Sequence, residues 1–391
     1  MLFYNFMLII YYIMTDYSIF SSDFKNSKGR MFVEQEDFNR TCFMRDRDRI
    51  IHSSAFRRLK YKTQVFVNNE EDYYRTRLSH SLEVSQLARS ISKVFKVNDD
   101  LAESISLSHD LGHTPFGHAG EEVLNKKMQK YGGFDHNFQA LKILISLEKK
   151  YLKFDGLNLT FETLDGILKH NGPVKKKIPD FIKNFLTFFD GNLKTYGSFE
   201  SQIAAICDDI AYNNNDIDDG LYANFFDIEE LEQLNIVQKA LKSIKIIKND
   251  VTRLKYELVR KLIKLMLDDL ITNTKSNLKK FNVSSADDVI FLDKSLVCFS
   301  TSMANDELAL KDFLKKRMYM HPKIRTMTIK AKRIVSDLYD LYNKEPDLLP
   351  KQWINFKNDE QKHIIISDYI SGMTDKYAIN IHKKFFDLYK F

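Results

Sequence analysis

Glycine and proline, the residues that break a chain into short strands and tight turns, are scarce here: 13 Gly and 6 Pro in 391 residues. A β-barrel or sandwich needs many such breaks, so their scarcity points to long helices and an all-α fold. Hydrophobic residues make up 44% of the chain and aromatics 13%. That is ample for a large core and excludes a disordered or fibrous chain. The length suits one large domain or about two to three ordinary ones, and no linker is long enough to force separate domains. The formal charge of +6 comes from 59 Lys+Arg against 53 Asp+Glu, too mild to imply nucleic acid by itself. Cys42, Cys207 and Cys298 share no metal-ligand spacing and cannot all pair, which fits a reduced, cytoplasmic compartment.

The opening run MLFYNFMLIIYYIM is apolar and uncharged but only 14 residues long, short of the roughly 20 that a spanning helix needs. It also lacks the basic start and small-residue cleavage site of a signal peptide. No stable membrane insertion is expected. Residues 1–24 read as an N-terminal extension that is disordered, docked on the surface, or upstream of a true start at Met14, with membrane association the weaker reading.

Leu78, Leu82, Leu87, Ile91 and Val94 recur at helical spacing over 78–97. Asp99 or Asp100 is expected to cap the next helix, with Leu101, Ile105 and Leu107 as its apolar side. That helix should end at His109-Asp110, because Gly112 and Pro115 follow. Another is expected from near Ala119, and His136 precedes a helical stretch over 137–152. Residues 153–198 read as a short helix-and-loop insertion. A helix is predicted from about Ser198 through Tyr212, followed by a polar run to Gly220. Residues 229–281 and a basic stretch over 307–343 read as helical, a short strand is expected near Leu296–Phe299, and helix resumes from Asp359.

The chemistry concentrates in a few places. His80 lies on one predicted helix, His109-Asp110 closes the next, and Asp208 follows almost a hundred residues later. Imidazole nitrogens and carboxylate oxygens bind borderline divalent metals well. Alone, each would read as a satisfied structural residue. The run HDLGHTPFGHAGEE (His109–Glu122) adds His113, His118 and Glu121 around Gly and Pro breaks, an odd composition for a plain surface. His118 and Glu121 are three apart, so on a helix the carboxylate can orient the imidazole, as a general acid or base requires. Basic residues form two clusters. Arg45, Arg47, Arg49, Arg57, Arg58 and Lys60 precede His80, and Lys311, Lys315, Lys316, Arg317, Lys323, Arg325, Lys330, Lys332 and Arg333 come late. They suit phosphate or a solvated face, and the second also suits an effector nucleotide or single-stranded nucleic acid. Lys175–Lys177 read as plain surface.

Six stretches carry a resemblance: DRDRIIHSSAFRRLKYKTQVF (Asp46–Phe66), TRLSHSLEV (Thr76–Val84), HDLGHTPFGHAGE (His109–Glu121), FDHN (Phe134–Asn137), DDIAYNNNDIDDG (Asp208–Gly220) and, more weakly, YMHPKIRTMTIKAKRIV (Tyr319–Val335). In this order they resemble the deoxyguanosinetriphosphate triphosphohydrolase-like family of the HD-domain metal-dependent phosphohydrolases. The resemblance implies an HD-type helical domain over 25–340 and a C-terminal helical tail over 341–391. It implies His80, His109, Asp110 and Asp208 as metal ligands. Asp208 is preferred to Asp209 because Tyr212 then follows four residues on, as in the family. His118 matches the catalytic His, Glu121 its partner, and His136 a third His facing the phosphates. Arg77 matches an Arg that contacts phosphate, and Gln64 and Asp216 match groups near the 3′-hydroxyl. Tyr212 matches the ring that packs on the sugar and rejects a 2′-hydroxyl. One departure is Asn215, where many relatives carry His. The implied reaction is metal-dependent hydrolysis of a deoxynucleoside triphosphate (dNTP) to deoxynucleoside and inorganic triphosphate. The implied cofactor is a divalent metal (Mn, Fe, Zn, Ni or Mg). A His2Asp2 set suits the first three better than a pure magnesium cage. The implied partners are a dNTP substrate, a dNTP effector, single-stranded nucleic acid and further copies of the chain in a homo-oligomer. Two other readings stay open on the residues: a phosphohydrolase of monophosphates or cyclic nucleotides, and a non-catalytic nucleotide- or nucleic-acid-binding HD protein.

Overall fold

The computed structural model describes residues 17–65, 74–244 and 250–387, so the apolar opening run lies outside the described residues. The fold is all-α. Among the described residues no strand forms, and pairing is limited to isolated bridges such as Arg30–Thr160 and Thr63–Thr76. No helix among them is long and apolar enough to cross a membrane.

The centre is a set of packed helices, Arg77–Phe95, Asp99–Ser108 and Phe199–Tyr222, with Cys42–Ile51 laid against the second. Helix Arg77–Phe95 is started by a capping box: the Thr76 hydroxyl accepts from the Ser79 amide, and Ser79 answers to the Thr76 amide. Its buried side, Val84, Leu87, Ala88, Ile91 and Phe95, repeats every three or four residues. Each fully buried large aliphatic or aromatic side chain contributes about 1.5–3 kcal/mol, so this stripe fixes which face of the helix turns inward. The cap of the next helix is Asn98, whose side chain accepts from the Leu101 amide. Asp99 and Asp100, expected as caps, instead occupy the first turn, where negative charge favours the helix N-terminus.

Three more expectations are corrected. Helix Phe199–Tyr222 runs unbroken through 24 residues, past the polar segment that was to end it after Tyr212. Other segments engage those side chains, with Asn213 donating to Glu307 and Asp218 and Asp219 pairing with Arg75, while Asn214 donates back to the Ile210 carbonyl of its own helix. The strand expected near Leu296–Phe299 does not form, because the Leu296 and Val297 amides donate to the Gln202 side chain rather than to a neighbouring strand. The helical stretch 229–281 is divided into Ile228–Leu231, Asn235–Lys242 and Val251–Lys280. Helix 359 onward begins at Asp359 as read, on an Asn358 cap.

A separate apolar cluster joins Phe116, Leu124 and Met128 to Ala331, Leu338, Tyr342, Ile366, Ile370 and Ala378. It packs helix His118–Met128 against helices Pro322–Lys344, Asp359–Ser371 and Asp375–Phe386. Helix Pro322–Lys344 runs across the 340–341 position, and the residues beyond it rest on the helix that begins with His118.

Candidate metal centre and its proton-transfer neighbours

After Ser108 the regular helix tightens into a short 3-10 turn, His109–Gly112, which swings His109 and Asp110 toward neighbouring helices. His80 arrives from helix Arg77–Phe95 and Asp208 from helix Phe199–Tyr222. His80 Nε2 lies 2.8 Å from Asp208 Oδ1. His109 Nε2 lies 3.5 Å from Asp208 Oδ1 and 3.5 Å from Asp110 Oδ1. His80, His109 and Asp110 each offer a ligand atom within 4.8 Å of the others. His109 Nδ1 sits 2.6 Å from the Ser106 carbonyl, which can only accept, so Nδ1 carries the proton. That leaves Nε2 buried, with no hydrogen-bond partner among the described residues, 3.5 Å from the Asp110 and Asp208 carboxylates. Two imidazoles and two carboxylates converging in this way fit a borderline divalent cation, and a carbonyl holding the far side of a ligand His is the usual support. The electrostatics agree. Burial alone would lower the His109 imidazole, but Asp110 and Asp208 raise it to about 9. Burial alone would raise Asp110, but Arg77, His109 and His113 hold it well below its ordinary value. The centre is strongly favourable to positive charge.

The adjacent Asp209 points elsewhere, with its carboxylate 2.7 Å from Lys311 Nζ. His170 was not read from the sequence. Its Nε2 lies 3.3 Å from Asp208 Oδ2 and its ring stacks on His109 at 5.2 Å. The only available signal was the Gly172-Pro173 break just after it, which echoes the break after His109. Asn215 is buried with its amide nitrogen 3.4 Å from His80 Nδ1, so the departure from the family pattern falls on a residue that touches a proposed ligand.

The approach to His118 is shaped by glycines. A Cβ on Gly112 would lie 1.9 Å from the His136 carbonyl and 2.3 Å from the Ala140 amide. Its absence lets helix His136–Lys142 press onto the His109–Gly112 turn. Gly117 and its neighbour Phe116 both have positive φ, +56° and +62°, and a Cβ on Gly117 would meet the Arg77 guanidinium at 2.7 Å. The helix beyond starts at His118 itself. Glu121, one turn on, bridges two imidazoles: His118 Nδ1 at 3.2 Å and His136 Nδ1 at 2.7 Å. Burial would raise this carboxyl, but those hydrogen bonds and the charge of the histidines hold it far below its ordinary range, so it stays an acceptor. Both Nδ1 atoms therefore carry protons, and the His118 side chain is 68% exposed. His113, singled out in the sequence without a role, is buried between Asp110 at 3.1 Å and the His136 ring at 4.1 Å. Burial, Arg77 and His136 keep it well below its ordinary value.

Arg77, expected at phosphate, is buried with its guanidinium donating to Asp110 Oδ2 at 2.9 Å. Tyr212 stands edge-on to His80, with the ring centres 6.2 Å apart. The hydroxyl of Tyr319, another residue without a role in the sequence reading, hydrogen-bonds Asp216. Burial raises Asp216 to about 8. Gln64 is buried, its carbonyl oxygen without a partner among the described residues, just after the Thr63–Thr76 bridge that leads to Arg77. Much of the early basic cluster is structural: Arg45 pairs with Glu36, Arg47 with Asp100 and Arg49 with Glu34. In the late cluster Arg317 pairs with Glu230 and Lys332 with Glu122.

Residues 77–213 match the HD domain family, and residues 297–384 match the phosphohydrolase-associated domain. The chain is 49% identical over 376 residues to a deoxyguanosinetriphosphate triphosphohydrolase-like protein of Parvibaculum lavamentivorans, covering 93% of this chain and 95% of that one. Like-named proteins of Bartonella henselae and Caulobacter vibrioides are each 46% identical. They span 95% and 94% of this chain and 95% and 96% of their own lengths. The proposed ligands all fall inside the HD match, and the helices packed on His118–Met128 fall largely inside the second. The chain therefore belongs to the deoxyguanosinetriphosphate triphosphohydrolase-like family of HD-domain metal-dependent phosphohydrolases.

Proposed function

We propose that this hydrolase cleaves deoxynucleoside triphosphates between the 5′-oxygen and the α-phosphorus, releasing a deoxynucleoside and intact inorganic triphosphate. One observation supports this most: His80, His109, Asp110 and Asp208 converge beside an outward-facing His118 held by Glu121. A divalent metal on those four residues would supply Lewis acidity at the α-phosphate and a more acidic water. The protein's own groups do the rest. His118, with its Nδ1 proton anchored on Glu121 and its side chain open to solvent, would take up a second proton at Nε2 and pass it to the 5′-oxygen as the bond to phosphorus breaks, returning to the neutral imidazole. His136 shares that carboxylate and offers a second imidazole edge to the phosphates. Arg77 holds Asp110 ionised and oriented as a ligand. Neutral His113 braces the opposite side of Asp110 without adding charge.

Sugar choice falls to Tyr212, with Asp216, Tyr319 and Gln64 as the hydrogen-bonding side for a 3′-hydroxyl. Tyr212 is one helical turn beyond Asp208 and edge-on to His80, so its ring walls the metal centre. A close apolar wall rejects an added hydroxyl by clash and by an unpaired polar group, roughly 10²-fold. Parent enzyme should favour dGTP over GTP in kcat/KM by at least about that factor, and Tyr212→Ala should relax the ratio. Matched kinetics with the two nucleotides test this: equal kcat/KM in the parent removes Tyr212 as the discriminator.

A further inference from the structure

The turn before His118 is held only in part by its own residues: the Thr114 hydroxyl donates to the Gly117 carbonyl at 2.8 Å and the Gly117 amide to the Thr114 carbonyl at 3.2 Å. Phe116 has φ +62°, a left-handed conformation that a bulky residue adopts only when its surroundings impose it. A further restraint, on Phe116 itself, comes from 259 residues away: the Phe116 amide donates to Asp375 Oδ1 at 2.9 Å. The other oxygen of Asp375 accepts from the Thr63 amide at 2.8 Å and from the Thr63 hydroxyl. Asp375 is 2% exposed and begins the last helix, Asp375–Phe386. A second buried tie runs parallel to it. Lys62 Nζ donates to the Ser371 carbonyl at 2.9 Å and also to the carbonyl of His113. The turn His113–Gly117 is thus tied at both ends to the hairpin of helices Asp359–Ser371 and Asp375–Phe386. The Phe116 ring lies in the same apolar cluster as Ile370 and Ala378 of that hairpin. His113 stands at one end of the turn, His118 follows the other, and Gly117 lies over Arg77.

We propose that Asp375 is a positioning residue for proton transfer. By clamping Phe116 to Thr63 it fixes the strained turn and thereby the direction in which His118 points. Its kinetic consequence rests on the phosphohydrolase reading above. The C-terminal helices then form part of the catalytic apparatus without touching the reacting atoms. A displacement of about 1 Å at a catalytic group can cost on the order of 10²-fold in rate, so the expected loss is in kcat, with KM and bound metal little changed.

The test compares Asp375→Ala, Asp375→Asn, His118→Ala and the Asp375→Ala/His118→Ala double variant, all in the full chain. Asp375→Ala should lower kcat about 10- to 100-fold, and Asp375→Asn, which keeps one acceptor but turns an NH2 toward a donor, should fall between it and the parent. Because Asp375 acts through His118, the double variant should be no slower than His118→Ala within about twofold. Amide hydrogen exchange of residues 113–118 should rise in Asp375→Ala while helix Arg77–Phe95 keeps its protection. Multiplying effects in the double variant, parent kcat in Asp375→Ala, or unchanged exchange at 113–118 would each overturn the proposal. Should Asp375→Ala not fold, the same comparisons are made with Asp375→Asn, where parent kcat or parent exchange overturns it. A parent that hydrolyses no dNTP refutes the functional reading instead, and the exchange measurement still decides whether Asp375 holds the turn.

Discussion

Asp110→Asn is expected to lose bound metal and to bring turnover to background while the helical circular dichroism signal survives. Asp110 sits where the regular helix has already ended, its carboxylate shared among His109, His113 and Arg77. An amide keeps the volume but removes the negative charge that draws a cation to this spot, and metal affinity depends on ionised carboxylate. Asp110→Ala should behave alike at the site and also lower Tm, because Arg77 would be left buried without its partner; breaking a buried pair typically costs about 3–5 kcal/mol. Elemental analysis of the purified variant, beside its rate, checks this. Parent metal content and parent rate in Asp110→Asn would remove the ligand assignment.

The second large effect is at His118. His118→Ala should retain metal and nucleotide binding yet lose about 10²–10⁴-fold in kcat, the scale of a positioned proton-transfer group. The geometry separates the two roles. The proposed ligands His80, His109 and Asp110 are buried, whereas His118 is largely exposed and reaches Glu121 rather than the ligand set. Glu121→Gln should reproduce part of the loss, since the amide would still touch His118 and His136 but no longer hold both Nδ1 protons as an ionised acceptor. Single-turnover kinetics at saturating nucleotide measure it. A parent rate in His118→Ala would exclude that residue from the chemistry.

What could be read from the sequence follows a physical pattern. The candidates His109-Asp110 and His118–Glu121 stood out because the cues that place them are local: a helix stop, a Gly-Pro break and a three-residue spacing bring them out together. The all-α class was legible for a similar reason, since few breaks leave few alternatives to long helices. His170 and Tyr319 were not, because each reaches its partner only by packing of distant segments, 38 residues apart for His170 and Asp208 and 103 for Tyr319 and Asp216. The polar run Asn213–Asp219 looked like a helix end because nothing local shows that Glu307 and Arg75 satisfy it. Charge is equally ambiguous without partners. Arg45, Arg47 and Arg49 suited phosphate in composition, yet they pair with Glu36, Asp100 and Glu34. The ties of the C-terminal segment to the His113–Gly117 turn, through Lys62 and Asp375, were not legible either, because they join residues 309 and 259 apart.

The most direct measurement is product analysis. Parent enzyme is incubated with each of the four dNTPs in turn, with manganese, iron, zinc, nickel or magnesium, and the products are resolved by anion-exchange chromatography. The expected result is free deoxynucleoside and intact inorganic triphosphate in equal amounts, with no product from Asp110→Asn. Orthophosphate, pyrophosphate or a nucleotide monophosphate as the initial product, or no turnover with any dNTP and metal, would contradict it.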